Sequence, residues 1–357
     1  MPAKIMKMDY EEKYMHRCLQ LAAFGGAYVA PNPMVGAVLV SSDRIIGEGY
    51  HHRYGEAHAE PNAINAVTDA GLLKDATLYV NLEPCSHYGK TPPCADLIVS
   101  KGIPRVVIGT LDPNPKVSGR GVEILRKAGI EVTVGVLENE CNELNHRFFI
   151  WQREKRPWIL LKWAQTSDGF MDQLRTDASI KPLQISNSIT RQLTHKIRAE
   201  HQAIMVSTNT VLLDNPSLTV RNWAGKNPVR LIIDRSGRIP QNLSIFDQSV
   251  RTIIFTEQPQ ESKEKIEYQP VTFDENSLRN ILKLIAEKNI HSVLVEGGSK
   301  LLNSFIEAGL WDEANVEISE ENIGTGVPAP QVGNCVKKAS RYNHHWWINY
   351  QNMHKKF

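Results

Sequence analysis

The chain has 357 residues, 41% hydrophobic and 22% charged, which suits a folded globular protein with room for two cores and excludes a disordered one. Its net charge of +2, with basic and acidic residues interspersed, argues against a nucleic-acid binder, and no apolar run approaches the about 18 residues of a membrane span. The five cysteines are odd in number and scattered, and residues 1–9 carry no apolar signal core, so a reduced, cytoplasmic protein is expected rather than a disulfide framework.

In chain order, Asp9-Tyr10-Glu11-Glu12 resembles a capping box, and Met15, Cys18, Leu19 and Ala22 then recur at helical spacing. Strands are expected over 35–40 and 45–50, joined by a polar turn. A helix should follow Glu60, with Pro61 in its first turn and Gly71 as its stop. Next come a strand (76–82), a proline-rich loop, a helix before Gly102, a strand (105–110), a helix ending at Gly129 and a strand through Val136. The charged run Gln152-Arg153-Glu154-Lys155-Arg156-Pro157 reads as a linker. A second α/β pattern follows: strands over 158–164, 203–206, 229–234, 252–255 and 292–295, with helices over 188–200, 277–288 and 300–308. The domains are expected at 1–150 and 156–357.

Chemistry is concentrated in His58-Ala59-Glu60, Pro84-Cys85 and Cys94. One imidazole and two thiolates make three ligands for a tetrahedral zinc, leaving the fourth position to a water whose pKa the metal lowers toward about 7. Glu60, two residues beyond His58 at a helix start, is placed to carry a proton from that water to a leaving amine. Any one of these residues alone reads as an ordinary core histidine or buried thiol; jointly, in this register, they read as a zinc deaminase signature. The second cysteine comes nine positions after the first, a longer loop than that signature has. Cys94 would open the helix beyond Pro93, where the dipole favours a thiolate. His87, inside the loop, is either a rival ligand or a substrate contact.

The segments Pro31-Asn32-Pro33-Met34-Val35-Gly36, Gly49-Tyr50-His51, His58-Ala59-Glu60, and Leu82 to Cys94 with its long loop resemble the bifunctional riboflavin-biosynthesis deaminase/reductase family (RibD type). The long loop is expected in that family. The resemblance implies a cytidine-deaminase-like three-layer α/β domain followed by a dihydrofolate-reductase-like α/β domain that uses NADPH. It implies that Asn32, His51, His87 and Lys90 hold the substrate, Lys90 toward its phosphate. The substrate would be a small phosphorylated ribosylaminopyrimidine, 2,5-diamino-6-(5-phosphoribosylamino)pyrimidin-4(3H)-one. Its deaminated product, 5-amino-6-(5-phosphoribosylamino)uracil, would then be reduced at the ribosyl group.

In the second half, Val295-Glu296-Gly297-Gly298-Ser299 joins a strand to a helix and suits either a phosphate-binding helix start or a plain tight turn. It is not the G-x-G-x-x-G fingerprint, so a Rossmann fold is not indicated. This turn, the patch Lys162 to Gly169 and the patch Asn209 to Arg221 resemble the family's reductase half. The resemblance places Ala164, Gln184, Thr210, Asp214, Gly298, Ser299, Lys300, Leu301, Leu302 and Asn303 at NADPH. It places Arg198, Leu218, Arg221 and Glu296 at substrate, and makes Lys162 and Asp214 the proton-handling residues. Read from the residues alone, Arg198 suits a solvated helix face and Asp214 a turn, whereas Lys162 inside an apolar strand needs a partner.

The chain departs from the family between Met171 and Ser186. Many members carry a tryptophan before the Ile-Thr of the first long helix; here the stretch reads Pro182-Leu183-Gln184-Ile185-Ser186, and Gln184 cannot cover a ring as an indole does. Trp346 and Trp347 read as exposed side chains that could serve a homo-oligomer interface. The alternative function is a nucleic-acid-editing zinc deaminase with a non-catalytic nucleotide-binding domain appended.

Overall fold

The computed structural model describes residues 10–87, 92–114, 118–333 and 336–352; Asp9 and Lys90 lie outside them. The chain divides into two compact units, the first ending at Glu154 and the second beginning at Lys155.

The first unit runs α1 (Tyr10–Ala23), β1 (Gly36–Ser41), β2 (Arg44–Tyr50), α2 (Ala59–Asn65), β3 (Thr77–Leu82), α3 (Cys94–Ser100), β4 (Arg105–Thr110), α4 (Arg120–Lys127), β5 (Glu131–Val134), α5 (Glu138–Leu144) and α6 (His146–Glu154). The sheet order is β2-β1-β3-β4-β5, antiparallel from β2 to β3 and parallel from β3 to β5. Successive strand residues point to opposite faces, and both faces are apolar. Ala37, Leu39, Leu78, Val80, Val106 and Ile108 share a core with residues of α2, α3 and α4. Val38, Val40, Tyr79 and Val107 share another with Tyr14, Met15 and Cys18 of α1 and Cys141 of α5. Three layers result, helix on sheet on helix.

The second unit runs β6 (Trp158–Gln165), β7 (Phe170–Asp172), α7 (Ser188–Ala199), β8 (Ala203–Ser207), α8 (Thr208–Asp214), β9 (Val229–Ile233), β10 (Thr252–Thr256), β11 (Ile266–Pro270), α9 (Ser277–Glu287), β12 (Ser292–Gly297), α10 (Ser299–Glu307), β13 (Glu313–Ile318), β14 (Val327–Pro328), β15 (Val336–Tyr342) and β16 (His345–Gln351). Its large sheet has the order β11-β10-β9-β8-β12-β6-β13-β16-β15, parallel as far as β13 and antiparallel through the terminal pair. Ile159, Leu161, Val293 and Val295 pack on one face with Ile281 and Leu282 of α9 and Leu302 and Phe305 of α10. Leu160, Ile204 and Leu294 pack on the other with Ile197 of α7 and Val211 of α8.

Several expectations need correction. The helix after Glu60 stops at Asn65, because Val67 and Thr68 are poor helix formers and Asp69 instead caps a 3-10 turn, accepting from Gly71 N–H at 2.9 Å. Gly71 therefore lies inside that turn. Gln152 to Glu154 of the expected linker are helical, and the chain turns at Lys155, whose φ is +53°. The strand expected through Val136 ends at Val134, before Gly135 at φ +98°. Trp347 is not exposed: it is 6% accessible and lies in the second unit's core, whereas Trp346 is open to solvent. Among the described residues no helix is long and apolar enough to cross a membrane.

Candidate metal centre and reductase cleft

In the first unit the sheet's middle strand and two helix starts meet. His58 is the N-cap residue of α2, Cys94 is the first residue of α3, and Cys85 follows β3. His58 Nδ1 lies 3.6 Å from Cys85 Sγ and 3.4 Å from Cys94 Sγ, and the three donor atoms lie within 4.8 Å of one another. The backbone shapes the set: Cys94 N–H donates to Cys85 Sγ at 3.3 Å, and Ala95 N–H to the Cys85 carbonyl at 3.2 Å. Hydrogen bonding from Cys94, then from His58, pulls the Cys85 thiol down to about 4. One imidazole and two sulfurs in this space fit zinc. His87 is exposed and stands outside the donor set.

Glu60, in the first turn of α2, is 3% accessible, and its Oε2 has no hydrogen-bond partner. Burial above all, and then the charge of Cys85, push its carboxyl up to about 7. A buried carboxylate oxygen without a partner beside a donor set is a place for a polar group brought by a ligand. His51, also buried, is bonded at both nitrogens. Its Nδ1 donates to the Ala57 carbonyl at 3.0 Å, which leaves Nε2 to accept from the Asn32 amide at 3.1 Å. Burial lowers the His51 pKa, in keeping with that neutral form. His51 thus orients Asn32, whose carbonyl oxygen remains for a donor.

Sequence reasoning passed over Glu83. Its buried carboxylate accepts from the N–H groups of Asp112, Gly119, Gly121 and Val122 at 2.8 to 3.3 Å, fixing the chain next to Pro84-Cys85. An acidic residue between Leu82 and Pro84, at the end of an apolar strand, was the available signal.

In the second unit a cavity of about 340 Å³ is lined by Lys162, Trp163 and Ala164 of β6, by Met171, by 183–186, by Arg191, Thr194, His195 and Arg198 of α7, by Arg221 and by Glu296. Six expected residues therefore meet there: Lys162, Ala164, Gln184, Arg198, Arg221 and Glu296. Glu296 sits where the pairing of β12 with β8 shifts register, which re-aims its side chain. It pairs with Arg198 (Nη2 to Oε2, 2.5 Å), so Arg198 is not a solvated helix residue. Burial alone would raise the Glu296 pKa, but Arg198 overrides it and holds the carboxylate low. Lys162 is 7% accessible; burial lowers its pKa against the opposing charges of Glu296 and Glu317. Arg191, Thr194 and His195 were missed. Their spacing with Arg198, at three- and four-residue steps along one helix, was the legible signal.

The remaining expected residues do not line this cavity. Thr210 adjoins the Gly297-Gly298 turn: Gly298 has φ +82°, a Cβ on it would collide with Ser207 Oγ, and Thr210 Oγ1 lies close by. This close backbone approach at the start of the nine-residue α10, which Ser299 opens, suits an anionic group. Lys300 is exposed and Asn303 half-buried, while Leu301 and Leu302 point into the core, leaving only their backbone for a ligand. Asp214 ends α8 and accepts from Arg175, which also bonds Asp172. Leu218 is 2% accessible and belongs to the core, with φ +53°.

Residues 8–110 match the family model of the cytidine and deoxycytidylate deaminase zinc-binding region, and 157–346 match that of the RibD C-terminal domain. The chain is 42% identical over 333 residues to the riboflavin biosynthesis protein RibD of Aquifex aeolicus, covering 92% of each. To that of Escherichia coli it is 37% identical over 335 residues, covering 88% of this chain and 89% of the relative. A crystal structure of a diaminohydroxyphosphoribosylaminopyrimidine deaminase/5-amino-6-(5-phosphoribosylamino)uracil reductase from Thermotoga maritima superposes with a TM-score of 0.84 at 39% identity, covering 96% of this chain and 98% of that one. These matches take in both halves, in the same order, and do not favour an editing deaminase with an unrelated appendage.

Proposed function

The chain belongs to the RibD family of riboflavin-biosynthesis deaminase/reductases, and on that premise we propose a substrate and a set of residue roles for its two activities. The enzyme joins a zinc-dependent deaminase to an NADPH-dependent reductase. The proposal assigns 1–150 to the deaminase and 156–357 to the reductase. Its substrate is 2,5-diamino-6-(5-phosphoribosylamino)pyrimidin-4(3H)-one, deaminated first; the resulting uracil is then reduced from ribosyl to ribityl.

In the deaminase, His58, Cys85 and Cys94 would hold the metal, which supplies Lewis acidity and an activated water. Glu60 takes a proton at its free Oε2 and returns it to the amine that leaves. Asn32, held by His51, presents its carbonyl oxygen to a ring N–H or amine. His87 stays a substrate contact in this reading, as does Lys90 at the phosphate.

In the reductase, NADPH supplies the reducing equivalents. The Gly298–Ser299 backbone, Thr210, Ala164 and Gln184 are assigned to binding it. Lys162 carries the proton that ring opening of the ribose requires, while Asp214, bound to Arg175, acts from farther off by fixing the neighbouring chain. The observation that carries the substrate reading is the charge of the cavity. Four cationic side chains, Lys162, Arg191, Arg198 and Arg221, face one carboxylate, Glu296. Glu296 takes up Arg198, and among the described residues no carboxylate pairs with Arg221, which leaves its fork for a phosphate.

The test is a coupled assay on the purified protein. Ammonia should be released from the diaminopyrimidine, and NADPH consumed only once the uracil has formed. NADPH consumption with the diaminopyrimidine while the deaminase is inactivated would reverse the order proposed.

A further inference from the structure

We propose that Glu317 is a positioning residue of the reductase: it steadies the Lys162 ammonium and, through Ser186, anchors the segment that walls the cavity. The proposal rests on the reading of Lys162 and of 183–186 as parts of the reductase site.

Glu317 lies on β13 opposite Ala164 of β6, while Lys162 stands opposite Asn315. Lys162 and Glu317 therefore share a face of the sheet as diagonal neighbours. Glu317 is fully buried. Its Oε2 accepts from Ser186 Oγ at 2.6 Å and lies 4.0 Å from Lys162 Nζ. Its Oε1 meets His345 Nδ1 of β16 at 2.9 Å. The Lys162 ammonium also stands 5.7 Å over the Trp347 ring.

A carboxylate placed in a core strand is unfavourable unless its partners compensate it. Here the partners have two destinations. Among the described residues none hydrogen-bonds the Lys162 ammonium, so the lysine is held by charge and by the indole face while its donors stay available to the cavity. Ser186 ends the stretch 183–186 that lines the cavity and precedes Asn187, the cap of α7. One buried carboxylate thus connects the lysine with the cavity wall. The charged groups acting on Lys162 are Glu296 from β12, Glu317 from β13 and Arg198 from α7, and His345 from β16 acts on Glu317.

Three variants of the full-length enzyme test this. Glu317→Gln keeps the shape and removes the charge. The ionisation that limits NADPH-dependent reduction should move about one pH unit lower, whichever form of Lys162 is active, because an opposite charge has been withdrawn. Ser186→Ala should raise the NADPH dissociation constant, measured by fluorescence without turnover, by roughly three- to tenfold and leave the pH profile in place, as expected for a lost hydrogen bond of about 1 kcal/mol. An unmoved profile in the first, or an unchanged dissociation constant in the second, overturns the proposal. Should Glu317→Gln not fold, Ser186→Ala decides alone. Lys162→Ala separates the two levels: full reductase activity there would overturn the reading of the site itself.

Discussion

Arg198 and Glu296 meet through two parallel hydrogen bonds, Nε to Oε1 at 2.7 Å and Nη2 to Oε2 at 2.5 Å, with both side chains nearly withdrawn from solvent. The third arm of the guanidinium reaches the Thr219 carbonyl at 3.1 Å. A buried pair of this kind contributes little over an apolar pair, but removing one partner strands the other charge at a cost of about 3–5 kcal/mol. Arg198→Met and Glu296→Leu should each destabilise the reductase half by that order. The double variant should lose much less than the sum, which urea titration of all three proteins would measure. Additive losses would mean that the two residues act independently.

Glu60→Gln preserves the size of a side chain buried beside the donor set and removes its ability to carry a proton. The variant should keep about one zinc per chain, judged by metal analysis against the three-ligand set. Its deamination should fall by roughly 10²–10⁴-fold. Reduction of the uracil substrate, measured in the same preparation, should be unaffected. Retained deamination would remove Glu60 from the proton-transfer role.

Cys94→Ser addresses the metal itself. Cys94 gives a sulfur to the donor set and its backbone N–H to Cys85, so the serine keeps the second contact and loses the first. Zinc should be lost together with deamination, while NADPH oxidation on the uracil substrate persists. Prolonged chelation of the wild type should reproduce that pattern, and zinc added back should restore it. Zinc retained at wild-type stoichiometry in Cys94→Ser would return Cys94 to the status of a structural thiol.

The candidate metal ligands were legible because metal ligation demands particular residue types, and His58, Cys85 and Cys94 fall where helices and a strand end. Six of the residues that line the second unit's cavity were named through resemblance alone, since a lysine or arginine on an α/β scaffold does not announce its target. Arg191, Thr194 and His195 were missed although they recur with Arg198 on one helix face; their pattern is that of any polar face. Glu317 and Trp347 were illegible for a stronger reason. Their significance comes from the pairing of β13 with β16, which 28 residues separate between Glu317 and His345, and register over such a span is set by tertiary packing. Asp69 and the early stop of α2 show local chemistry overriding a glycine signal.

Arg230 is fully buried on β9, and Asp247 is its acidic partner at 2.7 Å, with the Ser217 and Ile245 carbonyls taking further donors. Hydrogen bonding from Arg230 holds the Asp247 carboxyl at about 2, below the ordinary 3.8. A depressed acid contributes stability that is fully present above pH 3.8 and is lost as the pH falls through about 2. Asp247 is 42% exposed, so solvent screening reduces its contribution to the order of 1 kcal/mol. Asp247→Asn should therefore destabilise the second unit by about that much at pH 7, and the deficit should shrink toward zero as the medium approaches pH 2. Six of the seven tryptophans lie beyond Lys155, so fluorescence-detected urea unfolding reports chiefly on this unit. A deficit that stayed constant from pH 7 to pH 2.5 would show that the aspartate acts by shape and hydrogen bonding rather than by charge.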